Sequence, residues 1–180
     1  MKLFTARLEL REQVESDAEA ANVYESDPVS MRYQTSDVRT LEESRAYIAK
    51  GIASAKEEPR SIYDFAIVPR EASDDRMIGR AGMEIKSFEL QEAMIWYQIA
   101  PAAQGKGYAT EAAARIVQLA FEELGLHRVY ADLDPRNVPS RRVCEKLGMR
   151  LEAQMIENIF VKGEWCDSLI FAMLAREYRS

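Results

Sequence analysis

A chain of 180 residues, 47% hydrophobic and 30% charged, is long enough for one domain with its own core and is too apolar to be disordered. No apolar run approaches the ~18 residues of a membrane helix. The net charge of −6 argues against a nucleic-acid partner, because phosphate contacts dominate such binding.

The first eleven residues, MKLFTARLELR, scatter charges where a secretory signal keeps its apolar core, which predicts a cytoplasmic protein. Cys144 and Cys166 lack metal-ligand spacing, and a disulfide is not expected in that compartment. Thr5 to Arg11 alternates around Leu8 and Leu10 and reads as a strand. Ser16 to Tyr24 has a helical pattern. Pro28 to Val38 is polar and irregular, suited to a surface loop near a substrate. Thr40-Leu-Glu-Glu43 is a capping box, and Leu41, Ile48, Ile52 and Ala55 share a face of the helix it opens. Tyr63, Phe65 and Ile67 alternate as a strand. Arg70 to Arg76 is a charged turn, and Met77 to Ile85 is the next strand. Ala93 to Ala100 is another, and it feeds a glycine loop.

That loop, Gly105-Lys106-Gly107, follows Pro101 and a small-residue turn and runs straight into a helix. A strand that passes through glycines into a helix N-terminus gathers free backbone N–H groups, and so makes an anion site. In the helix, Ala109, Ala112, Ala113, Ile116, Val117, Ala120 and Leu124 form one apolar face, with Gly125 at the C-terminal cap. The ATP-type loop G-x-x-x-x-G-K-S/T is absent. Gly105 and Gly107 fit the dinucleotide fingerprint G-x-G-x-x-G, but Thr110 occupies its third glycine position, and the flanking strands do not read as repeated βαβ units.

Beyond the helix, Arg128 to Leu133 is a strand and Asp134 to Asn137 a turn. Val138 to Leu147 is a short helix with Pro139 in its first turn and Gly148 after its end. Arg150 to Phe160 and Ser168 to Leu174 are strands joined through Lys162-Gly163. The order β-α-α-β-β-β-α-β-α-β-β is an α/β (α+β) pattern, a mixed sheet with helices on its faces and one βαβ unit in the middle.

Several stretches together resemble the GNAT superfamily of acyl-CoA N-acetyltransferases. Gln104 to Ala109 matches its loop Q/R-x-x-G-x-G/A. The run G-Y-A-T-E-A, the segment Asn137 to Met149, the start Leu3 to Arg11, and Trp165 with Asp167 resemble the branch that acetylates ribosomal-protein N-termini. The resemblance spans nearly the whole chain. It implies a central sheet splayed between the strand ending at Ala100 and the strand from Arg128. Pantetheine would lie in that gap along Gln98, Ile99 and Ala100. The pyrophosphate would sit on Gln104, Gly105, Lys106, Gly107, Tyr108 and Ala109, with Thr110 beside it and Asn137 touching the pantetheine arm. Acetyl-CoA would be the donor and a small-molecule or peptide amine the acceptor, without nucleic acid or membrane; a homodimer is left open.

The family reaction is direct attack of a neutral amine on the thioester, which needs a route for the amine proton and a donor for the leaving thiolate. Many relatives put a tyrosine on the short helix as that donor. Cys144 stands there in this chain, and Ser140, one turn earlier, matches the serine of the branch it resembles. Ser140 is therefore the expected acid. Glu157 shares strand parity with Leu151, Ala153, Met155 and Ile159, so an inward carboxylate is a candidate base, against the alternative of an acid at a sheet edge. Glu84 is a weaker candidate on the same ground. Trp96 and Tyr97 read as core or pocket wall, His127 as structural, and Cys144 as a small buried side chain. Arg136, Arg141 and Arg142 form a solvated face from which one could meet the adenosine 3′-phosphate. The reading of a different class is an acyl-CoA-binding module of the same fold without catalysis.

Overall fold

The computed structural model describes residues 1–178. Its elements are β1 (Lys2–Phe4), β2 (Leu8–Glu12), α1 (Asp17–Glu25), α2 (Leu41–Ser54), β3 (Ile62–Pro69), β4 (Gly79–Ser87), β5 (Glu92–Ile99), α3 (Tyr108–Gln118), β6 (Arg128–Leu133), α4 (Val138–Lys146), β7 (Arg150–Val161) and β8 (Glu164–Leu174). The strands form one eight-stranded sheet in the order β1-β2-β3-β4-β5-β6-β8-β7. Every pairing is antiparallel except β5 with β6.

The single N-terminal strand expected over Thr5 to Arg11 is a hairpin. Thr5 N–H donates to the Leu8 carbonyl (2.9 Å), and Leu8 N–H donates to Thr5 Oγ1 (2.9 Å), so the chain reverses at Thr5 to Arg7. Leu3, Leu8 and Leu10 are all buried, and the change of parity between Leu3 and Leu8 marks the reversal. The capping box forms as expected: Glu43 N–H donates to Thr40 Oγ1, and Thr40 N–H to the Glu43 carboxylate. The helix after the glycine loop does not stay α-helical throughout. Leu119–Glu123 widens into a π turn, with Leu124 N–H donating to the Leu119 carbonyl (3.0 Å), and Gly125 ends it at φ 65°.

Two apolar layers flank the sheet. Phe65, Met83, Ile95, Ile116, Val129, Cys144 and Phe171 pack on the α3–α4 face, and Ala18, Tyr24, Ile48, Ala66 and Val68 on the α1–α2 face. The alanine stripe of α3, with Ala112 and Ala113 buried, allows that helix to approach the strands closely. Alternation along β5 sends Tyr97 to the first face with Ile95 and Ile99, and Trp96 and Gln98 to the second.

The break that makes a site lies between β5 and β6. They pair only at Glu92–Arg128, Ala93–Val129 and Met94–Tyr130. Beyond that point β5 stays bonded to β4 as far as Ile99 and β6 to β8 as far as Leu133, so the two strands diverge. The splay that the resemblance implied is present.

Candidate active site

The divergence opens a cleft of about 780 Å³. Ile95 to Ile99 and Ala131 to Asp134 form its two sides. Gln104, Gly105 and Gly107 to Thr110 line one end with Asn137, Ser140 and Arg142, and Asp27, Tyr33 and Gln34 line another part. Lys106 is exposed and is not part of the lining.

At the loop, Gly105 (φ 76°) and Gly107 (φ 81°) are left-handed, a conformation open to glycine at little cost. The turn leaves the N–H groups of Gly105 to Thr110 without an acceptor among the described residues, at the positive end of α3. Such a run of convergent donors fits a pyrophosphate. Gln104 Nε2 donates to the Ile99 carbonyl (2.9 Å), which ties the loop to the end of β5. Support that the sequence did not reveal comes from the N-terminal hairpin. Arg7 donates to the Lys106 carbonyl (3.0 Å) and to Glu111 Oε2 (2.7 Å), and Thr5 Oγ1 donates to Glu111 Oε1 (2.6 Å). Burial alone would raise the Glu111 pKa, but these donors hold it below the ordinary value.

Across the cleft, Asn137 Oδ1 accepts from Ser140 N–H (3.2 Å) and caps α4, while the residue also lines the cleft. Ser140 Oγ lies 2.9 Å from the Tyr97 hydroxyl. That hydroxyl donates to the Ser140 carbonyl (3.0 Å) and sits 3.5 Å from Cys144 Sγ. A phenol has one proton. When it is given to the carbonyl, Ser140 Oγ–H points at the phenol oxygen; when Ser140 turns to the cleft, its proton is available there. Burial pushes the Tyr97 phenol well above the usual tyrosine value, so it stays protonated at neutral pH. Burial also pushes the Cys144 thiol up, which keeps it from acting as a thiolate nucleophile.

A parallel strand pair that splays over a glycine loop at a helix N-terminus is shared with known proteins. A family model described as "Acetyltransferase (GNAT) domain" matches residues 7–150. The chain belongs to the GNAT acetyltransferases. It is 34% identical to the uncharacterized N-acetyltransferase YnaD of Bacillus subtilis over 178 residues, 99% of each chain. The crystal structure of a GNAT-family acetyltransferase from Bacillus anthracis superposes with a TM-score of 0.86 at 31% identity, over 98% of this chain and 100% of that one. RimJ of Mycobacterium smegmatis, solved in complex with CoA-disulfide, superposes with a TM-score of 0.82 at 26% identity, over 96% and 84%. With these relatives, the chain is an N-acetyltransferase.

Within this GNAT site, one expectation is corrected. Glu157 does not face inward. The β7–β8 register shifts between Met155 and Ile159, and Glu157 sits in that irregularity at φ 46°, exposed, with its N–H donating to Asp167 Oδ1 (2.8 Å). The bulge breaks the strand alternation on which the inward reading rested. Glu157 is not in the cleft lining, and Glu84 pairs with Lys86 (2.9 Å). The carboxylates that do line the cleft are Asp27, Asp132 and Asp134. Asp27 is held below its ordinary value by Ser30 and Val29, and Asp134 by Arg136. Arg136 is engaged by Asp134 and Glu164, and Arg141 by Glu145 (2.8 Å), so Arg142 is the member of that trio in the lining. Gln98 donates to Met31 Sδ (3.6 Å) on the α1–α2 face. His127 N–H donates to the Gln91 carbonyl (2.8 Å), a backbone tie at the start of β6. Among the described residues no cluster of metal-ligating side chains occurs, and no helix is long and apolar enough to cross a membrane.

Proposed function

We propose that the chain is a cytoplasmic enzyme that moves the acetyl group of acetyl-CoA to a primary amine, of a peptide N-terminus or a small molecule, in one direct step. The observation that carries this reading is the row of N–H groups from Gly105 to Thr110 opening onto a splayed gap, with the Ser140 hydroxyl on its far wall. In this reading Gln104 to Thr110 hold the pyrophosphate. The pantetheine arm runs along Gln98, Ile99 and Ala100, and Asn137 touches it from α4. The neutral amine attacks the thioester carbonyl, the C–S bond breaks, and Ser140 gives a proton to the departing sulfur. Tyr97 keeps its own proton and holds the serine hydroxyl, which recovers its proton from the cleft water that takes the amine proton. Asp27 and Asp134 titrate below the ordinary carboxylate range and are poor bases, and we assign the amine proton to water in the open cleft, which Asp132 also lines.

Release of free coenzyme A thiol is to be followed with acetyl-CoA and a panel of amines: a serine-initiated peptide, an alanine-initiated peptide, spermidine and an aminoglycoside. Turnover with one of them is expected. Gly107→Asp places a side chain and a negative charge at the cradle and should abolish coenzyme A binding in calorimetry while far-ultraviolet dichroism stays unchanged. Undiminished affinity in that variant would refute the cradle. Intact binding without turnover on any amine would favour a non-catalytic acyl-CoA-binding module.

A further inference from the structure

The α1–α2 side of the cleft rests on a buried ionic cluster that acetyl transfer itself does not use. Asp64, Gly82 and Trp96 lie side by side on β3, β4 and β5. A Cβ at Gly82 would stand 2.8 Å from the Trp96 ring and 2.2 Å from the Tyr63 carbonyl oxygen, so the glycine makes room for an indole lying across it. Asp64, 3% exposed, is paired with Arg80 at 3.5 Å. Arg80 also reaches Glu25 (3.3 Å), which takes Arg39 (2.6 Å) and the Ser44 hydroxyl (2.6 Å). The Tyr47 ring lies 4.1 Å from the Arg80 guanidinium and 4.3 Å from that of Arg39. Burial raises the pKa of Asp64, and Arg80, with the nearby donor edges of Trp96, Gln13 and Tyr47, opposes that rise without Trp96 or Gln13 closing a hydrogen bond to it.

Stability alone does not account for this cluster. A buried ion network gains little over apolar packing of the same volume, and this one leaves Trp96 Nε1, Asp64 Oδ1, Arg80 Nε and the Tyr24 hydroxyl without a partner at hydrogen-bond geometry among the described residues. Its position suggests another use. Trp96 lines the cleft from the sheet side, and Asp27, Tyr33 and Gln34 line it from the loop between α1 and α2. That loop is closed at its base by the same cluster: Arg39 N–H donates to the Glu25 carbonyl (2.8 Å) and its guanidinium to the Glu25 carboxylate. Both walls of this mouth therefore have one foundation. The anion cradle and Ser140 lie on the α3–α4 face, which leaves the α1–α2 mouth for the second substrate.

We infer that Trp96 is a specificity-determining residue for the acceptor amine, and that Asp64 is the positioning residue that fixes its ring. This rests on the acetyl-transfer reading above. A ring laid across Gly82, with Asp64 on the other side of that glycine on β3, gives the mouth a fixed width. Loosening it penalises binding of the amine and leaves coenzyme A, which enters over α3, unaffected.

The test compares Asp64→Asn, Trp96→Phe and the double variant, with acetyl-CoA as donor and spermidine and a serine-initiated peptide as acceptors. Each single change is expected to raise the KM for the amine about tenfold, and the double variant no more than either, because both act on the position of one ring. The coenzyme A Kd should stay within about twofold by calorimetry. Multiplying effects, or an amine KM unchanged in Trp96→Phe, would overturn the inference, and a fall in melting temperature alone would mark a merely structural cluster. Should Asp64→Asn fail to fold, Trp96→Phe still decides, since it keeps one aromatic ring at the position and removes the N–H edge with the second ring. Binding of the amine can also be followed without turnover. Trp165→Phe leaves Trp96 as the sole tryptophan, and its emission should change saturably when spermidine or the peptide is added to the coenzyme A complex. No change with either would overturn the assignment of Trp96, whereas a change without acetylation would leave it standing and count against catalysis.

Discussion

Ser140 and Tyr97 hold each other through two short contacts across 43 residues of sequence. In the proposed reaction Ser140 donates to the sulfur only as charge builds there, so its loss should lower kcat and kcat/KM together and leave coenzyme A affinity intact. Ser140→Ala is expected to cost about 10²-fold in kcat, the low end for a positioned acid. The cost should shrink with a thioester whose leaving thiol is more acidic. Tyr97→Phe removes the partner but not the acid, so a smaller loss of about tenfold is expected, with the same dependence on the leaving group. Rates insensitive to the leaving group in both variants, with a lowered melting temperature, would assign the pair to packing. The place of Ser140 in the cleft was legible because Ser140 and Cys144 are one turn apart on one helix, where spacing sets direction, while its role as acid came from the resemblance. The part played by Tyr97 was not, because it depends on which strand faces α4. Glu157 was misread for a related reason: strand parity holds only until a bulge, and nothing in Met155 to Ile159 announces one.

The glycine loop is held in place by a neighbouring element, the β1–β2 hairpin turn. Arg7 and Thr5 clasp Glu111 in the first turn of α3, and Arg7 also lies 4.8 Å from the Tyr108 ring. Glu111→Gln keeps the shape and removes the charge, and should cost about 1 kcal/mol of stability at neutral pH, since Arg7 is half exposed. A carboxyl whose folded pKa is depressed stabilises the fold above its unfolded value, and that contribution disappears as the pH falls through the folded value. From an ordinary value of 4.5, the melting-temperature gap between wild type and Glu111→Gln should be constant from about pH 6 to 8 and close below about pH 4. A gap that persisted at pH 3 would mean that Glu111 acts by packing rather than charge. Arg7→Ala should also weaken coenzyme A binding several-fold, because the Lys106 carbonyl loses its tether. At this scale the order of helices and strands was legible, since capping boxes, glycine stops and the apolar stripe of α3 are local. The clasp was not, because Thr5 and Arg7 are about a hundred positions from Glu111, and the hairpin, though local, turns at Thr5-Ala6-Arg7 without glycine, proline, asparagine or aspartate to signal a turn.

As a whole, the molecule is two half-sheets joined by three residue pairs between β5 and β6. One half is β1 to β5 with α1 and α2 packed on it, and the other is β6 to β8 with α4. Helix α3 bridges them, with Ile116 and Val117 in the shared core. A ligand lying in the gap touches both halves, so it should stabilise the fold as one unit by mass action. At a hundred times its Kd, coenzyme A should add about 2.7 kcal/mol. For a chain of this size that corresponds to a rise of roughly 5–10 °C in melting temperature. Hydrogen exchange should slow at Gly105 to Thr110 and at the gap-side N–H groups of Ile95 to Ile99, with little change in β2 or β3, which are already paired on both sides. The melting-temperature rise should continue with ligand concentration beyond saturation and vanish in Gly107→Asp. Protection confined to the loop, with none along β5, would show that the pyrophosphate is held but that the pantetheine arm does not lie in the splay.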